Sequence, residues 1–302
     1  MKIGYPCLNA TLPCSSATTF RLASYSEERL ISTVTANLAC LQQILAFNVQ
    51  HSLFFFRMSS GLVPFGSHAV NTFKWQAYFA ETFRVIGDYI KAHQMRISMH
   101  PDQFVVLNSP TPSIVQNSFA ELEYQCAMMD LMGLDKTAKL QIHAGGVYGD
   151  KPAAIRRFCD AFQELPDQVK ARLVVENDDR SYSLQDCLEI HERTGIPILF
   201  DNFHHECLNN NEPMAEALRL AAQTWQPEDG ILMMDYSSQA IGERKGKHTD
   251  HIKLGLFREF LTQLQGLDVD IMLEIKDKET SALAAVALLK DLGYMNTNIT
   301  VG

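Results

Sequence analysis

Short β-rich runs alternate with longer amphipathic segments eight times along this chain, and few architectures accept that order. The runs lie at 2–5 (KIGY), 53–58 (LFFFRM), 96–100 (RISMH), 140–143 (LQIH), 173–176 (LVVE), 197–201 (PILFD), 231–235 (ILMMD) and 271–274 (IMLE). Between them the periodicity predicts helices near 26–47, 72–93, 113–132, 152–164, 184–193, 212–224, 249–264 and 279–292. Repeated strand–helix units predict a parallel sheet, and eight of them close a (β/α)8 barrel of the TIM type. No low-complexity linker divides the 302 residues, so 1–302 reads as one barrel domain. Ser24 with Glu27 and Ser183 with Asp186 read as helix starts, and Gly133 and Gly195 as helix stops.

Residues 31–56 contain no Asp, Glu, Lys or Arg, which invites a membrane reading. Thr33, Thr35, Asn37, Gln42, Gln43, Asn48 and Gln50 argue instead for a buried helix leading into a strand, and no membrane partner is expected. The opening MKIGYPCLNA lacks the apolar core of an export signal. Seven scattered cysteines with no CxxC pair predict reduced thiols in a cytoplasm. The net charge of −9 argues against coating nucleic acid by bulk attraction but leaves one local groove open.

The strands finish in an unusual way. Runs three to eight end in His100, His143, Glu176, Asp201, Asp235 and Glu274, each after apolar residues that would otherwise be core. One such residue alone is most simply a satisfied polar group at a strand end; six in succession would meet at the rim where barrels carry active sites. Converging carboxylates repel unless cations lie between them, so a metal centre is predicted. His68, His204, His205 and His248 follow strands two, six and seven on the same face, and His51, His93, His191 and His251 read as helical or surface residues. Nine donors (His68, His100, His143, Glu176, Asp201, His204, Asp235, His248 and Glu274) exceed one ion's needs, so roughly two or three divalent ions are expected. Imidazole with carboxylate and no thiolate points to manganese, zinc or magnesium. Arg57, Ser59, Ser60, Arg180, Arg244, Lys245 and Lys247 stand near strand exits, where they could contact an anionic ligand; for Lys245 alone a solvated basic loop is as good a reading.

In order and spacing, IGYPCLN, FRMSS, GSHAV, SMHPDQFVVLNSP, IHAGG, VENDD, DNFHH, KGKHT and LEIKDKE make the chain resemble the UV damage endonucleases over essentially its whole length. That resemblance implies a barrel akin to endonuclease IV, up to three divalent metals, manganese foremost, and UV-damaged double-stranded DNA as partner, with no obligatory protein partner. It implies nicking immediately 5′ of a photoproduct, leaving a 3′-hydroxyl and a 5′-phosphate. The nine donors would be the ligands, with Glu176, Glu274, His143 and His248 as the catalytic core. Gln103 and Phe104 would probe the lesion with Tyr5 as companion; the family usually has tyrosine where Phe104 stands. Strand seven departs from the pattern, with Met233 and Asp235 where better-studied members have a carboxylated lysine and a histidine. Asp235 can still ligate, whereas Met233 cannot bridge two ions.

Two alternatives stay open at this point. Sugar isomerases of the xylose isomerase type place similar ligands at the same barrel ends, and a barrel with a weakened metal site would bind damaged DNA without cutting it.

Overall fold

The structure, a computed structural model, describes residues 1–295. β1 (Ile3–Pro6), β2 (Phe55–Met58), β3 (Arg96–Met99), β4 (Lys139–His143), β5 (Leu173–Glu176), β6 (Ile198–Asp201), β7 (Leu232–Tyr236) and β8 (Val269–Leu273) pair in parallel in chain order. β8 returns to β1, with Ile3 opposite Ile271, and the barrel closes. The predicted eight-stranded TIM barrel is therefore the fold. Strands buried on both faces explain why these runs are almost continuously apolar.

Side chains alternate between the barrel interior and the helical layer, and this parity decides what each strand presents. Phe55, Val174, Leu199, Met233 and Met272 form a fully buried plug inside the barrel. Two residues further along the same five strands or their exits stand Arg57, Glu176, Asp201, Asp235 and Glu274. An apolar floor thus carries a charged rim. Gly4 pairs with Phe55, and a Cβ there would lie 2.2 Å from the Phe55 carbonyl oxygen, so only glycine fits that inward position. At the opposite end, Lys139 donates to Asp229 at 2.5 Å and Arg96 to Asp270 at 3.0 Å. Both cations are buried and paired, as buried charges must be.

The outer layer contains α1 (Glu27–Gln50) and helices Trp75–Ala92, Pro112–Leu131, Lys151–Glu164, Leu184–Thr194, Met214–Ala222, Leu254–Gln263 and Glu279–Asp291. α1 is long and apolar enough to cross a membrane by composition alone, yet Leu30, Val34, Leu38, Leu41 and Leu45 bury one face in the core. Ser183 and Asp186 form the expected reciprocal capping box, and Gly195 ends that helix at φ 75°.

Three local expectations are corrected. Ser26, not Ser24, caps α1 by accepting Arg29 N–H at 3.2 Å. Asn202–Cys207 forms an unpredicted helix, because Asp201 caps it directly out of β6. Cys14 and Cys40 are joined by a disulfide, so the cysteines are not all reduced; Cys14 lies in the N-terminal loop folded against α1. Cys7, Cys126, Cys159, Cys187 and Cys207 are free.

Candidate metal centre

Three sets of donor atoms meet at the carboxyl rim: His100, His143 and Glu176; Glu176, Asp201 and His204; and Asp201, Asp235 and Glu274. Within each set the donor atoms lie within 4.8 Å of one another. Glu176 belongs to two sets and Asp201 to two, so the carboxylates chain the groups together. Seven of the nine predicted ligands are accordingly gathered.

His248 stands at the edge. Its Nδ1 lies 3.9 Å from Glu274 Oε2, and its ring centroid is 5.9 Å from that of His204. His68 does not join them: it is exposed, its Nδ1 accepts Val70 N–H at 3.0 Å, and its ring packs against Phe65. The loop after β2 sets it on the wall of a cavity of about 1030 Å³, together with Ser60, Asp102, Phe104 and Tyr124.

The imidazoles are oriented by the backbone. His100, His204 and His248 each direct Nδ1 to a carbonyl oxygen, of Pro101 at 3.0 Å, Asn177 at 3.0 Å and Glu274 at 2.9 Å. A carbonyl only accepts, so Nδ1 carries a proton in each ring; in His100 this leaves Nε2, 3.6 Å from Glu176 Oε2, to keep the lone pair a metal requires, whereas His204 turns Nδ1 itself toward Glu176 Oε1 at 3.0 Å and Asp201 Oδ2 at 3.6 Å. Asn177 also brackets β6, accepting Asp201 N–H at 2.9 Å and donating to the Asp201 carbonyl at 3.0 Å. Asp201 Oδ1 accepts His204 N–H at 2.7 Å, whereas its buried Oδ2 has no hydrogen-bond partner among the described residues. His143 Nδ1 is likewise buried and unpartnered.

These residues fit divalent cations. Glu176 Oε2 lies 3.6 Å from His100 Nε2 and 3.7 Å from His143 Nε2, too far for hydrogen bonds. Two donors that share one ion at about 2.1 Å stand roughly 3.4 to 3.7 Å apart when the angle between them is near tetrahedral or trigonal. The orphaned Asp201 oxygen and a His100 imidazole that turns Nε2 toward Glu176 satisfy the same condition.

The electrostatics follow from burial and crowding. Burial alone would raise Glu176, but His143 and the bond from His204 hold its carboxyl well below the usual range. Burial pushes Asp201 up to about 6 and His100 down to about 4. Burial opposes charge on His204, yet Asp201 and Glu176 together bring it up to about 11. Burial opposes the charge on Glu274, but the Arg57 guanidinium together with His100 and His248 brings its carboxyl down to about 2.

Arg57 is therefore not a phosphate contact at the strand exit. It is an inward-facing residue of β2, 2% exposed, donating to Asp235 Oδ1 and Oδ2 at 2.6 and 2.7 Å, to Gln141 Oε1 at 2.6 Å, and to Glu274 Oε1. Gln141 in turn donates to Glu176 Oε2 and, at 2.6 Å, to Asp235 Oδ2. Gln141 escaped sequence reasoning, although a lone amide two residues before His143 in an apolar run was the available signal.

Tyr5 is also corrected. It faces the helical layer, is fully buried, donates to Asn48 Oδ1 at 2.7 Å and accepts from Asn9 at 2.9 Å, so it cannot touch a lesion. Ser59 is buried and uses Oγ to accept Gly61 N–H at 3.1 Å, which caps a turn instead of reaching phosphate. Ser60 donates to Asp102 at 3.1 Å. Gln103 and Phe104 are exposed beyond β3, Phe104 at 50%. Arg180 is exposed beside Asp179, Arg244 and Lys245 are exposed on the loop after β7, and Lys247 pairs with Glu243 at 2.6 Å. Lys276, just past Glu274, pairs with Asp250 at 2.5 Å.

A closed (β/α)8 barrel whose carboxyl rim gathers imidazoles and acids defines a barrel enzyme with its site on the usual face. Comparison with known proteins narrows the class. The family model for UV-endonuclease UvdE matches residues 1–301, and the chain belongs to this family of DNA repair endonucleases. A UV DNA damage endonuclease of Clostridium perfringens is 38% identical over 294 residues, covering 97% of this chain and 71% of that protein. One from Bacillus pumilus is 33% identical, covering 100% of this chain and 97% of the other. The crystal structure of SacUVDE superposes with a TM-score of 0.94 at 44% identity, covering 98% of this chain and 100% of that one. Endonuclease IV from Thermus thermophilus shares the fold at a TM-score of 0.57 and 16% identity, over 83% of this chain and 94% of its own.

Proposed function

We propose that the protein nicks the damaged strand of UV-irradiated double-stranded DNA immediately 5′ of the photoproduct, by metal-dependent hydrolysis that leaves a 3′-hydroxyl and a 5′-phosphate. The observation that carries this reading is the convergence of three linked donor sets on the carboxyl rim of a chain in this family. His100, His143, Glu176, Asp201 and His204 would hold divalent cations, with Glu274 and His248 at the edge of the site; manganese is the first candidate and zinc or magnesium the alternatives. Such ions supply a water of near-neutral pKa and stabilise charge on the leaving oxygen.

The chain's own residues do the rest. Glu176, Glu274, His143 and His248 form the core around the scissile phosphate. Hydrogen bonds donated by Nδ1 to the carbonyl oxygens of Pro101, Asn177 and Glu274 orient the rings of His100, His204 and His248 in advance. Arg180, Arg244 and Lys245 offer exposed positive charge to flanking phosphates. Phe104, beside the cavity of about 1030 Å³, offers an aromatic face that replaces stacking lost when damaged bases leave the helix. Gln103 offers hydrogen bonds to their orphaned partners. Photoproducts stack poorly, so opening them costs less than opening normal pairs.

The test is a duplex oligonucleotide with one defined photoproduct, labelled at the 5′ end of the damaged strand. A product ending at the nucleotide before the lesion and extendable by a polymerase, hence bearing a 3′-hydroxyl, is expected. Cleavage 3′ of the lesion, or a 3′-phosphate end, contradicts the reading.

A further inference from the structure

The third donor set differs from the other two in what already occupies it. Asp235 gives both carboxylate oxygens to the Arg57 guanidinium, and Oδ2 accepts a further bond from Gln141. Glu274, the second member, also accepts from Arg57. Only Asp201 lies outside that grip, with Oδ2 unpartnered. By contrast, no donor in the set of His100, His143 and Glu176, or in that of Glu176, Asp201 and His204, is bonded to Arg57 among the described residues.

An ion between Asp201, Asp235 and Glu274 would therefore face a fixed positive charge at contact distance. Arg57 has no way to relieve that repulsion. A guanidinium does not deprotonate in a protein, and this one is enclosed by the barrel and cannot swing into water. The layer beneath offers no substitute donor, since Met233 lies in the apolar plug.

We propose that Arg57 is a resident cation in place of a third metal, so that this chain loads two divalent ions and keeps Asp235 as the counter-charge of Arg57. The proposal rests on the metal-centre reading above. It assigns Arg57 a positioning role: it holds Glu274 and, through Gln141, Glu176 in register with the two ion-binding sets.

The test counts ions. Protein stripped with chelator, reloaded with excess manganese and freed of unbound metal is analysed for manganese per chain, with free manganese followed in parallel by electron paramagnetic resonance. Wild type should retain two equivalents, Arg57→Lys two, and Arg57→Met three, because removing the guanidinium releases Asp235 and Glu274 to a further ion. A cooperative unfolding transition confirms that each variant is folded. If Arg57→Met does not fold, the wild-type count still decides. One or three equivalents in wild type, or two in folded Arg57→Met, overturns the proposal. Zero equivalents in wild type overturns the metal-centre reading itself, which is a separate result.

Discussion

His204 shows most directly how a single residue links fold to chemistry. Its Nδ1 lies 3.0 Å from Glu176 Oε1 and 3.6 Å from Asp201 Oδ2, and these acids raise it to about 11 in the metal-free chain. Because that is above the value in an unfolded chain, its proton stabilises the metal-free fold fully below pH about 6.5, and this contribution is lost as pH rises toward 11. Metal binding must expel the proton, and below pH about 6 protonated Asp201 competes as well. Manganese should therefore bind more weakly at pH 5.5 than at pH 7.5, with about one proton released per chain at the higher pH. Calorimetry in buffers of different ionisation enthalpy measures this; zero net proton release at pH 7.5 would contradict the assignment of His204. Glu274→Ala should abolish incision while leaving a cooperative unfolding transition, since it removes a rim carboxylate and leaves Arg57 its pairing with Asp235. Phe104→Ala should lower the ratio of affinities for damaged and undamaged duplex by about 5- to 150-fold, the equivalent of about 1 to 3 kcal/mol of lost stacking. An unchanged ratio would reject a stacking role.

At the scale of elements, Ser183 and Asp186 satisfy each other's backbone donors at the start of Leu184–Thr194. Ser183→Ala should cost about 1 kcal/mol, seen as a small fall in the unfolding midpoint, and leave incision unchanged because the helix packs on the outside of the barrel. This cap and all eight strands were legible in the sequence; for runs three to eight, an apolar stretch ending in a polar residue leaves few other readings. What stayed hidden had physical reasons. The pattern at Ser24 and Glu27 mimics a capping box, whereas the real cap at Ser26 is followed at the third position by Arg29, which offers no carboxylate. Asn202–Cys207 is only six residues long and contains two histidines, so no periodicity announces it. The direction of Tyr5 and Arg57 was legible in principle: Gly4 and Phe55 face inward, so Tyr5 faces out and Arg57 in. Pairing of Arg57 with Asp235 spans 178 positions and follows from barrel closure alone. The run of apolar residues does not by itself place those two side chains together.

For the whole molecule, a net charge of −9 must be reconciled with a polyanionic substrate. The two divalent ions proposed above would bring about four positive charges to the rim, and the loop after β7 adds Arg244 and Lys245 beside it. On that proposal attraction is local and depends on metal occupancy. The same dependence gives the most direct test of the account: incubation of supercoiled plasmid, irradiated or not, with protein stripped of metal, and then with manganese restored. We expect nicking of the irradiated plasmid alone, absent after chelation and recovered on adding manganese. Undiminished nicking by protein shown to be metal-free, or equal nicking of irradiated and untreated plasmid, would contradict it.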